Sequence, residues 1–225
     1  MSKLKKVIQK LEELLEISKV DKGHGIDHAL TVLFHAQNVL KYENLTEQQR
    51  TAVELASLLH DADDSKFFNT KDNFNAKTIL NLFYRNKTLK NMVMVMINLV
   101  SCSKNKNNID PNLENFYYIP RFCDRLEALG EIGLERALIY NQIINRPLYL
   151  VTTKFPKNRE ELYKIATKQR FENYSGNSES FIDHLYDKVL HLKVETGNIY
   201  LDTLFKIRHR IIEDYILNYK GNKVF

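Results

Sequence analysis

The adjacent residues His60 and Asp61 carry the clearest chemical signal in this sequence, because they close the apolar run 55–59. A histidine and a carboxylate are costly to bury unless a partner compensates them. A divalent metal ion would be such a partner, since imidazole nitrogens and carboxylate oxygens both bind metals. The alternative is a histidine at a helix C-terminus, stabilised by the helix dipole, followed by an aspartate that begins a loop. The apolar run before the pair weakens that alternative.

Two distant segments supply further ligands for the same ion. His24 and His28 are four residues apart, so on a helix they share one face and can meet one ion. Two surface histidines would be the more frequent explanation if they stood alone. Asp124 lies about sixty residues beyond His60 and would close the site from another helix. The predicted ligand set is therefore His28, His60, Asp61 and Asp124.

Two imidazoles and two carboxylates favour a borderline or hard divalent ion. We expect one ion, Mn²⁺ or Mg²⁺ first, with Fe²⁺, Co²⁺ and Ni²⁺ as alternatives. Structural zinc more often recruits thiolates. In an octahedral site, four protein ligands leave two positions for water or a phosphate oxygen. Hydrolysis needs an open site of this kind.

The loop after the His60–Asp61 pair contains candidates for catalysis. Asp64 is predicted to orient or deprotonate a water molecule, and its alternative is a loop-capping aspartate. Lys66 is predicted to contact phosphate, and its alternative is a solvated loop lysine. Asp63 is expected to be solvated.

Substrate contacts are predicted at three further positions. Lys22 and His24 lie in a glycine-flanked turn from which they could contact phosphate. Arg125 follows Asp124 directly, and its guanidinium could fork onto phosphate oxygens. The alternative for Arg125, which we favour slightly, is a structural ion pair with a helix carboxylate.

Composition limits the class of protein and of partner. The chain has 225 residues, of which 44% are hydrophobic and 27% are charged, as in soluble globular proteins. The net charge of +5 fits an anionic partner or a lysine-rich surface, and the lysines form no dense run that would favour nucleic acid. The longest apolar stretch, 92–97, is too short for a membrane span, so we expect no membrane partner. Without a signal segment, a cytoplasmic, intracellular location is expected.

Helical periodicity dominates the elements that must hold these residues. The sequence predicts one all-α domain over 1–220 and a flexible tail over 221–225. Thr46 with Gln49 forms a capping-box pattern, and Ser178 and Thr196 are predicted N-caps. The asparagine-rich segment 103–112 is predicted to be a loop and a candidate flap. The predicted helices are 2–17, 26–40, 46–60, 73–85, 88–100, 116–129, 132–144, 159–171, 179–192 and 196–219.

The order of His28, the His60–Asp61 doublet and Asp124 resembles the H…HD…D signature of the HD superfamily of metal-dependent phosphohydrolases. Its His-x3-His opening resembles 24–28, its H-D-x-x-D-x-K-F stretch resembles 60–67, and its D-R-L-x-A-x-G-x-I-G block resembles 124–133. Weaker similarity continues at 184–190 and 208–209. The doublet alone is a weak motif, whereas the three blocks in order are specific.

This resemblance implies a fold and an activity. The fold is a single-domain HD-type helical bundle with the metal site between central helices. The activity is hydrolysis of a small phosphorylated substrate, a ribo- or deoxyribonucleoside triphosphate, to monophosphate and pyrophosphate. Two alternatives remain at this stage. One is a phosphomonoesterase or phosphodiesterase acting on another small phosphorylated molecule, and the other is a non-catalytic nucleotide- or nucleic-acid-binding module.

Overall fold

Every regular element among residues 2–20 and 24–219, which the computed structural model describes, is helical. The helical class predicted from periodicity is therefore confirmed. Short 3₁₀ helices cover Asn115–Tyr118 and Val189–His191. The α-helices are α1 (Lys3–Ile17), α2 (Ile26–Leu40), α3 (Glu47–Leu59), α4 (Phe74–Phe83), α5 (Lys87–Val100), α6 (Cys102–Asn105), α7 (Ile119–Glu127), α8 (Gly130–Ile143), α9 (Arg159–Ile165), α10 (Lys168–Asn173), α11 (Phe181–Asp187) and α12 (Ile199–Asn218).

The chain forms two compact units. The first unit comprises Met1–Ser101 and Ile109–Asp124, and the second comprises Cys102–Asn108 and Arg125–Phe225. The second unit is built around α12, which packs on α8, on α9 and on the 3₁₀ helix Val189–His191.

Helix α3 is the centre of the first unit and packs against both α2 and α5. Its C-terminal half is apolar nearly all round, which is typical of a helix buried on every side. Each of its residues from 55 to 59 is 1% exposed or less. The helix therefore delivers the residues that follow Leu59 into the interior of the unit.

The N-terminus of α3 has the predicted local chemistry. The Gln49 amide donates to Thr46 Oγ1 at 3.3 Å, and the Thr46 amide donates to Gln49 Oε1 at 2.9 Å. This reciprocal capping box confirms the pattern in the sequence. At the other end His60 is the C-cap, so α3 ends one residue before the predicted boundary.

The predicted helix over 159–171 is wrong as a single element. It is divided into α9 and α10, because Ala166 leaves the helical conformation (ψ 68°). Thr167 then caps the next helix by accepting a hydrogen bond from the Arg170 amide at 3.3 Å. A threonine followed three residues later by an arginine is only a partial capping signal, and the continuous apolar spacing concealed it.

Two predicted N-caps in the second unit are also wrong. Ser180, not Ser178, caps α11 through the Asp183 amide at 3.1 Å. Asn198, not Thr196, caps α12, and Thr196 instead donates from its hydroxyl to Asp202 at 2.8 Å. In both segments several capping residue types stand close together, so sequence alone does not select among them.

The predicted loop 103–112 begins as a helix, because α6 covers Cys102–Asn105. The next two residues are bound within the second unit. The Lys106 ammonium donates to the Tyr174 carbonyl, and Asn107 Nδ2 donates to the His191 carbonyl at 3.0 Å. These bonds do not test whether segment 103–112 moves, so its role as a flap stays a prediction.

The predicted tail 221–225 lies outside the described residues, and the proposed domain limits stay predictions. No helix in the described part of the chain is both long and apolar enough to cross a bilayer.

Thr46→Ala is expected to lower the free energy of unfolding by about 1 kcal/mol, because it removes the side-chain oxygen that caps α3. The matched control is Thr51→Ala on the same helix, where the hydroxyl bonds only to the Glu47 carbonyl within the helix. Its effect should stay within about 0.5 kcal/mol, since alanine is the better helix former. Urea unfolding measures both variants. Equal losses would contradict the capping assignment.

Candidate metal centre

Three helices of the first unit bring the four predicted ligands together. His28 lies in the first turn of α2, His60 caps the C-terminus of α3 with Asp61 directly after it, and Asp124 lies in α7. The C-cap position explains how two adjacent residues reach one point. Consecutive residues inside a helix point about 100° apart, whereas the chain turns away at the helix end.

The donor atoms of these residues form a tight cluster. The Nε2 atoms of His28 and His60 lie 3.2 Å apart. Asp124 Oδ1 lies 3.3 Å from His28 Nε2 and 3.6 Å from His60 Nε2. Asp61 Oδ2 lies 3.3 Å from His60 Nε2 and 3.7 Å from His28 Nε2. One ligand atom each from His28, His60 and Asp124 lie within 4.8 Å of one another, close enough to bind one metal ion.

A backbone contact orients the His60 ring. Its Nδ1 lies 2.8 Å from the Ser57 carbonyl oxygen. A carbonyl only accepts, so Nδ1 carries the hydrogen and the neutral ring presents the Nε2 lone pair to the cluster. Metal-binding histidines are commonly fixed by a carbonyl in this way.

Burial differs between the two ligand types. The side chains of His28 and His60 are 3% and 0% exposed, whereas those of Asp61 and Asp124 are 28% and 29% exposed. The imidazoles therefore form the closed side of the cluster. A water molecule or a phosphate oxygen can reach it from the carboxylate side.

The electrostatics of the cluster favour a cation. Burial by itself lowers the pKa of His60, but the charge of Asp61 and hydrogen bonds with Asp124 and Asp61 outweigh it and raise that pKa well above its usual range. Burial would raise the pKa of Asp124, yet hydrogen bonds with His28 and His60 hold it well below its usual range. Burial would also raise the pKa of Asp61, but the charge of His60 outweighs burial and lowers that pKa. Two buried imidazoles facing two ionised carboxylates suit one divalent ion.

Three of the predicted reactive residues form a second cluster in the first unit. Lys66 Nζ lies 3.4 Å from Asp64 Oδ2 and 3.2 Å from His24 Nε2. Asp64 Oδ1 also accepts the Lys66 amide at 3.0 Å, so the loop-capping interpretation of Asp64 describes one of its two oxygens. The Lys66 side chain is 42% exposed and can be reached by an anion.

Asp63 is not solvated as expected. Its Oδ1 accepts from Thr70 Oγ1 at 2.6 Å and from the Asn75 amide at 2.9 Å, and its Oδ2 accepts from the Ala76 amide at 3.0 Å. The prediction was wrong because the donors are distant in sequence: two are amides of a helix that begins eleven residues later, and the third is a loop hydroxyl seven residues later.

Arg125 belongs to the second unit and is 2% exposed. It donates to Asn107 Oδ1 at 2.6 Å and to the Lys106 carbonyl. These two acceptors are a side-chain amide oxygen and a backbone carbonyl, both in the loop before the 3₁₀ helix Asn115–Tyr118. The sequence had suggested a helix carboxylate as the structural partner. Its contact with substrate stays a prediction. Lys22 lies outside the described residues, and its role also stays a prediction.

Arg121 was missed by the sequence analysis. It is fully buried one turn before Asp124, with its guanidinium 5.5 Å from the centre of the Tyr118 ring. The signal was present in the sequence, because a single arginine interrupts the apolar stretch 116–123. A buried arginine is rare unless it is paired.

Comparison with known proteins identifies a relative and a fold. No family model matches the sequence. An uncharacterized protein of Acanthamoeba polyphaga mimivirus is 37% identical over 217 residues, covering 88% of each chain.

Three solved structures align over nearly the whole chain. A Lactobacillus plantarum protein has a TM-score of 0.74 at 22% identity, covering 97% of this chain and 95% of that one. An HD-superfamily hydrolase from Bacillus thuringiensis has a TM-score of 0.63 at 23% identity, with coverage of 95% and 93%. Bacillus subtilis YpgQ, in complex with ADP, has a TM-score of 0.66 at 21% identity, with coverage of 99% and 97%. The chain therefore has the HD-superfamily hydrolase fold, and the predicted single HD-type fold is confirmed.

Addition of Mn²⁺ is expected to stabilise the protein, because an ion bound only by the folded state adds about 2.7 kcal/mol at a hundredfold excess over its Kd. His28→Ala and Asp124→Asn should abolish the rise in Tm. Asp27→Asn is the control, since Asp27 is exposed in the first turn of α2 beside a ligand. Thermal unfolding with and without Mn²⁺ measures the effect. A full rise in either ligand variant would contradict this site.

Metal affinity is expected to fall as the pH is lowered. The charge of Asp61 and the hydrogen bonds with both carboxylates outweigh burial and raise the pKa of His60 well above its usual range, and a metal needs the neutral ring, so binding is coupled to release of a proton. Calorimetric titration of the protein with Mn²⁺ in two buffers of different ionisation enthalpy measures this proton release, because the released proton is taken up by the buffer. Equal enthalpies in both buffers would exclude the coupling.

Proposed function

This chain belongs to the same family as the mimivirus protein. From its HD-superfamily fold and its candidate metal centre, we propose that it is a metal-dependent phosphohydrolase that acts on nucleotides. The favoured reaction converts a ribo- or deoxyribonucleoside triphosphate and water into the monophosphate and pyrophosphate. The single observation that carries the proposal is the convergence of His28, His60, Asp61 and Asp124 on one point of the first unit. A divalent ion bound there would polarise phosphate oxygens and lower the pKa of water.

The ligand residues prepare the site without needing to move. The Ser57 carbonyl holds the His60 ring with Nε2 toward the cluster, and the two carboxylates supply negative charge at its open side. Preorganised charge of this kind has no reorganisation cost during the reaction.

We assign proton transfer to Asp64. A carboxylate oxygen has two lone pairs, so each oxygen of Asp64 can accept from Lys66 and still accept from water. In the favoured reaction the water oxygen bonds to the α-phosphorus, its proton passes to Asp64, and the bond between the α-phosphorus and the oxygen bridging to the β-phosphate breaks. Pyrophosphate leaves with the bonding electron pair.

We assign charge compensation to Lys66 and His24. Their nitrogens lie 3.2 Å apart, and the exposed ammonium can pair with a phosphate oxygen as a point charge. Lys22 and Arg125 are further proposed substrate contacts, on their positions in the sequence alone.

One observation supports a nucleotide as the substrate. YpgQ, which has the same fold, was crystallised with ADP. The net charge of +5 is compatible with an anionic partner.

The test is incubation of the protein with Mn²⁺ or Mg²⁺ and a panel of ribo- and deoxyribonucleotides, followed by separation of the products. We expect monophosphate and pyrophosphate in a 1:1 ratio. Loss of a residue that only hydrogen-bonds to a metal ligand typically lowers activity about 10–100-fold. His60→Ala and Asp61→Ala remove the ligands themselves, so each should reduce turnover by more than this. Asp27→Ala should leave turnover unchanged, because its side chain is exposed.

Other outcomes would replace the proposal. Orthophosphate as the only phosphate product would favour a phosphomonoesterase. No turnover with any metal, together with nucleotide binding, would favour a non-catalytic module, and binding to nucleic acid would weaken steeply with salt. Full turnover in both ligand variants would contradict the metal assignment.

A further inference from the structure

Helix α4 begins without a cap of its own. Its N-cap residue, Asn73, is in the left-handed conformation (φ 55°, ψ 46°) and makes no side-chain cap hydrogen bond. The Asn73 side chain instead donates to Asn98 at 2.8 Å. The amides in the first turn of α4 therefore need acceptors from elsewhere.

Asp63, ten residues before Asn73, supplies these acceptors. Its two oxygens accept the amides of Asn75 and Ala76 at 2.9 and 3.0 Å, which are the second and third residues of α4. A carboxylate suits this position because the helix N-terminus carries a partial positive charge. The Thr70 hydroxyl adds a third bond at 2.6 Å. Asn75 Nδ2 donates to the Ala62 carbonyl at 2.8 Å, which closes the contact from the other side.

This contact lies in the middle of the segment that carries the candidate catalytic groups. Asp63 stands between the ligand Asp61 and the proposed base Asp64. Around it the chain folds into successive turns, with the Asp64 amide on the Asp61 carbonyl at 3.1 Å. The Phe67 and Phe68 amides both donate to the Asp64 carbonyl at 2.9 Å. The Asp64 backbone is therefore held at its amide and at its carbonyl within this run of turns. Asp63, the residue before it, anchors the run to the first turn of α4.

We propose that Asp63 is a positioning residue: it ties the loop 61–72 to the N-terminus of α4 and so holds Asp64 and Lys66 in their reactive arrangement. The inference rests on the proposed function, because the arrangement matters for catalysis only if the loop is catalytic. Asp63 itself touches neither substrate nor metal in this scheme. It acts through the backbone of its neighbour.

The chemistry of the contact specifies aspartate. Three donors approach two oxygens, and an asparagine at this position offers one oxygen and an amide nitrogen that cannot accept from the Ala76 amide. Asp63→Asn should therefore keep part of the contact, and Asp63→Ala should lose all of it.

The experiment compares Asp63→Ala and Asp63→Asn with Asp72→Asn in the full chain. Asp72 is an exposed residue of the same loop at φ 55°, a conformation that asparagine tolerates, so its variant removes the same charge near α4 without strain. Hydrogen exchange of the Lys66, Phe67, Phe68 and Ala76 amides is measured without nucleotide. Mn²⁺ affinity, kcat and KM are then measured separately.

We expect Asp63→Ala to speed exchange of these amides at least about fivefold, the factor that corresponds to loss of one helix cap. Its kcat should fall about 10–100-fold, while KM and Mn²⁺ affinity change less than about threefold. Asp63→Asn should give an intermediate loss, and Asp72→Asn should match the wild type in every measurement. A merely structural role would lower the fraction of folded protein without this split between kcat and KM.

Unchanged exchange or unchanged kcat in Asp63→Ala would overturn the proposal. If that variant does not fold, Thr70→Val replaces it, since it removes only the hydroxyl donor to Asp63 and should give a smaller change of the same kind. Failure of the proposed function has a different signature, because the wild type then shows no turnover. In that event the hydrogen-exchange data alone decide whether Asp63 holds the loop. Unchanged exchange in Asp63→Ala would still show that it does not.

Discussion

The approach of two buried imidazoles to two ionised carboxylates is the constraint on which the first unit depends. With the Nε2 atoms of His28 and His60 only 3.2 Å apart, both rings cannot present a proton to each other, and two neighbouring carboxylates favour positive charge at this point. A proton supplies one positive charge there, and a divalent ion would supply two. The packing of α2 and α3 then has two roles, because it buries apolar surface and holds the two imidazoles at this separation.

The second constraint is where α3 ends. An apolar helix that is buried on all sides must release its last carbonyl groups and change direction inside the protein. The His60 ring uses one of these carbonyls, that of Ser57, as the acceptor that sets its orientation. The chain then enters the loop 61–72, whose course is set by Asp63 at the start of α4. The end of one helix and the beginning of another thus bracket the residues proposed to act on phosphate.

Much of this arrangement could be predicted from local patterns, whereas the partners of Asp63 and Arg125 could not, for one physical reason. The helices and the capping box at Thr46 are readable because periodicity and capping are short-range signals. The four candidate ligands were selected by residue type and motif order. Asp63 was predicted to be solvated, and this was wrong because its hydrogen-bond donors come from residues 70, 75 and 76, which are distant in sequence. The sequence left Arg125 open between a phosphate contact and a helix carboxylate, and the loop at 106 and 107 supplies two of its acceptors. A polar side chain and a distant backbone donor leave no periodic trace in the sequence.

The amino-acid sequence by itself determined the helical class, the order of His28, the His60–Asp61 doublet and Asp124, and the resemblance to the HD superfamily. These follow from residue types and spacing, which the chain carries before it folds. Only the tertiary structure decided that the four side chains meet within hydrogen-bonding and ion-pairing distance, that the imidazoles are buried while the carboxylates are open, and that Asp63 is a helix cap. Distance, burial and the shifted pKa of His60 depend on which helices pack together, and packing is a property of the folded chain alone.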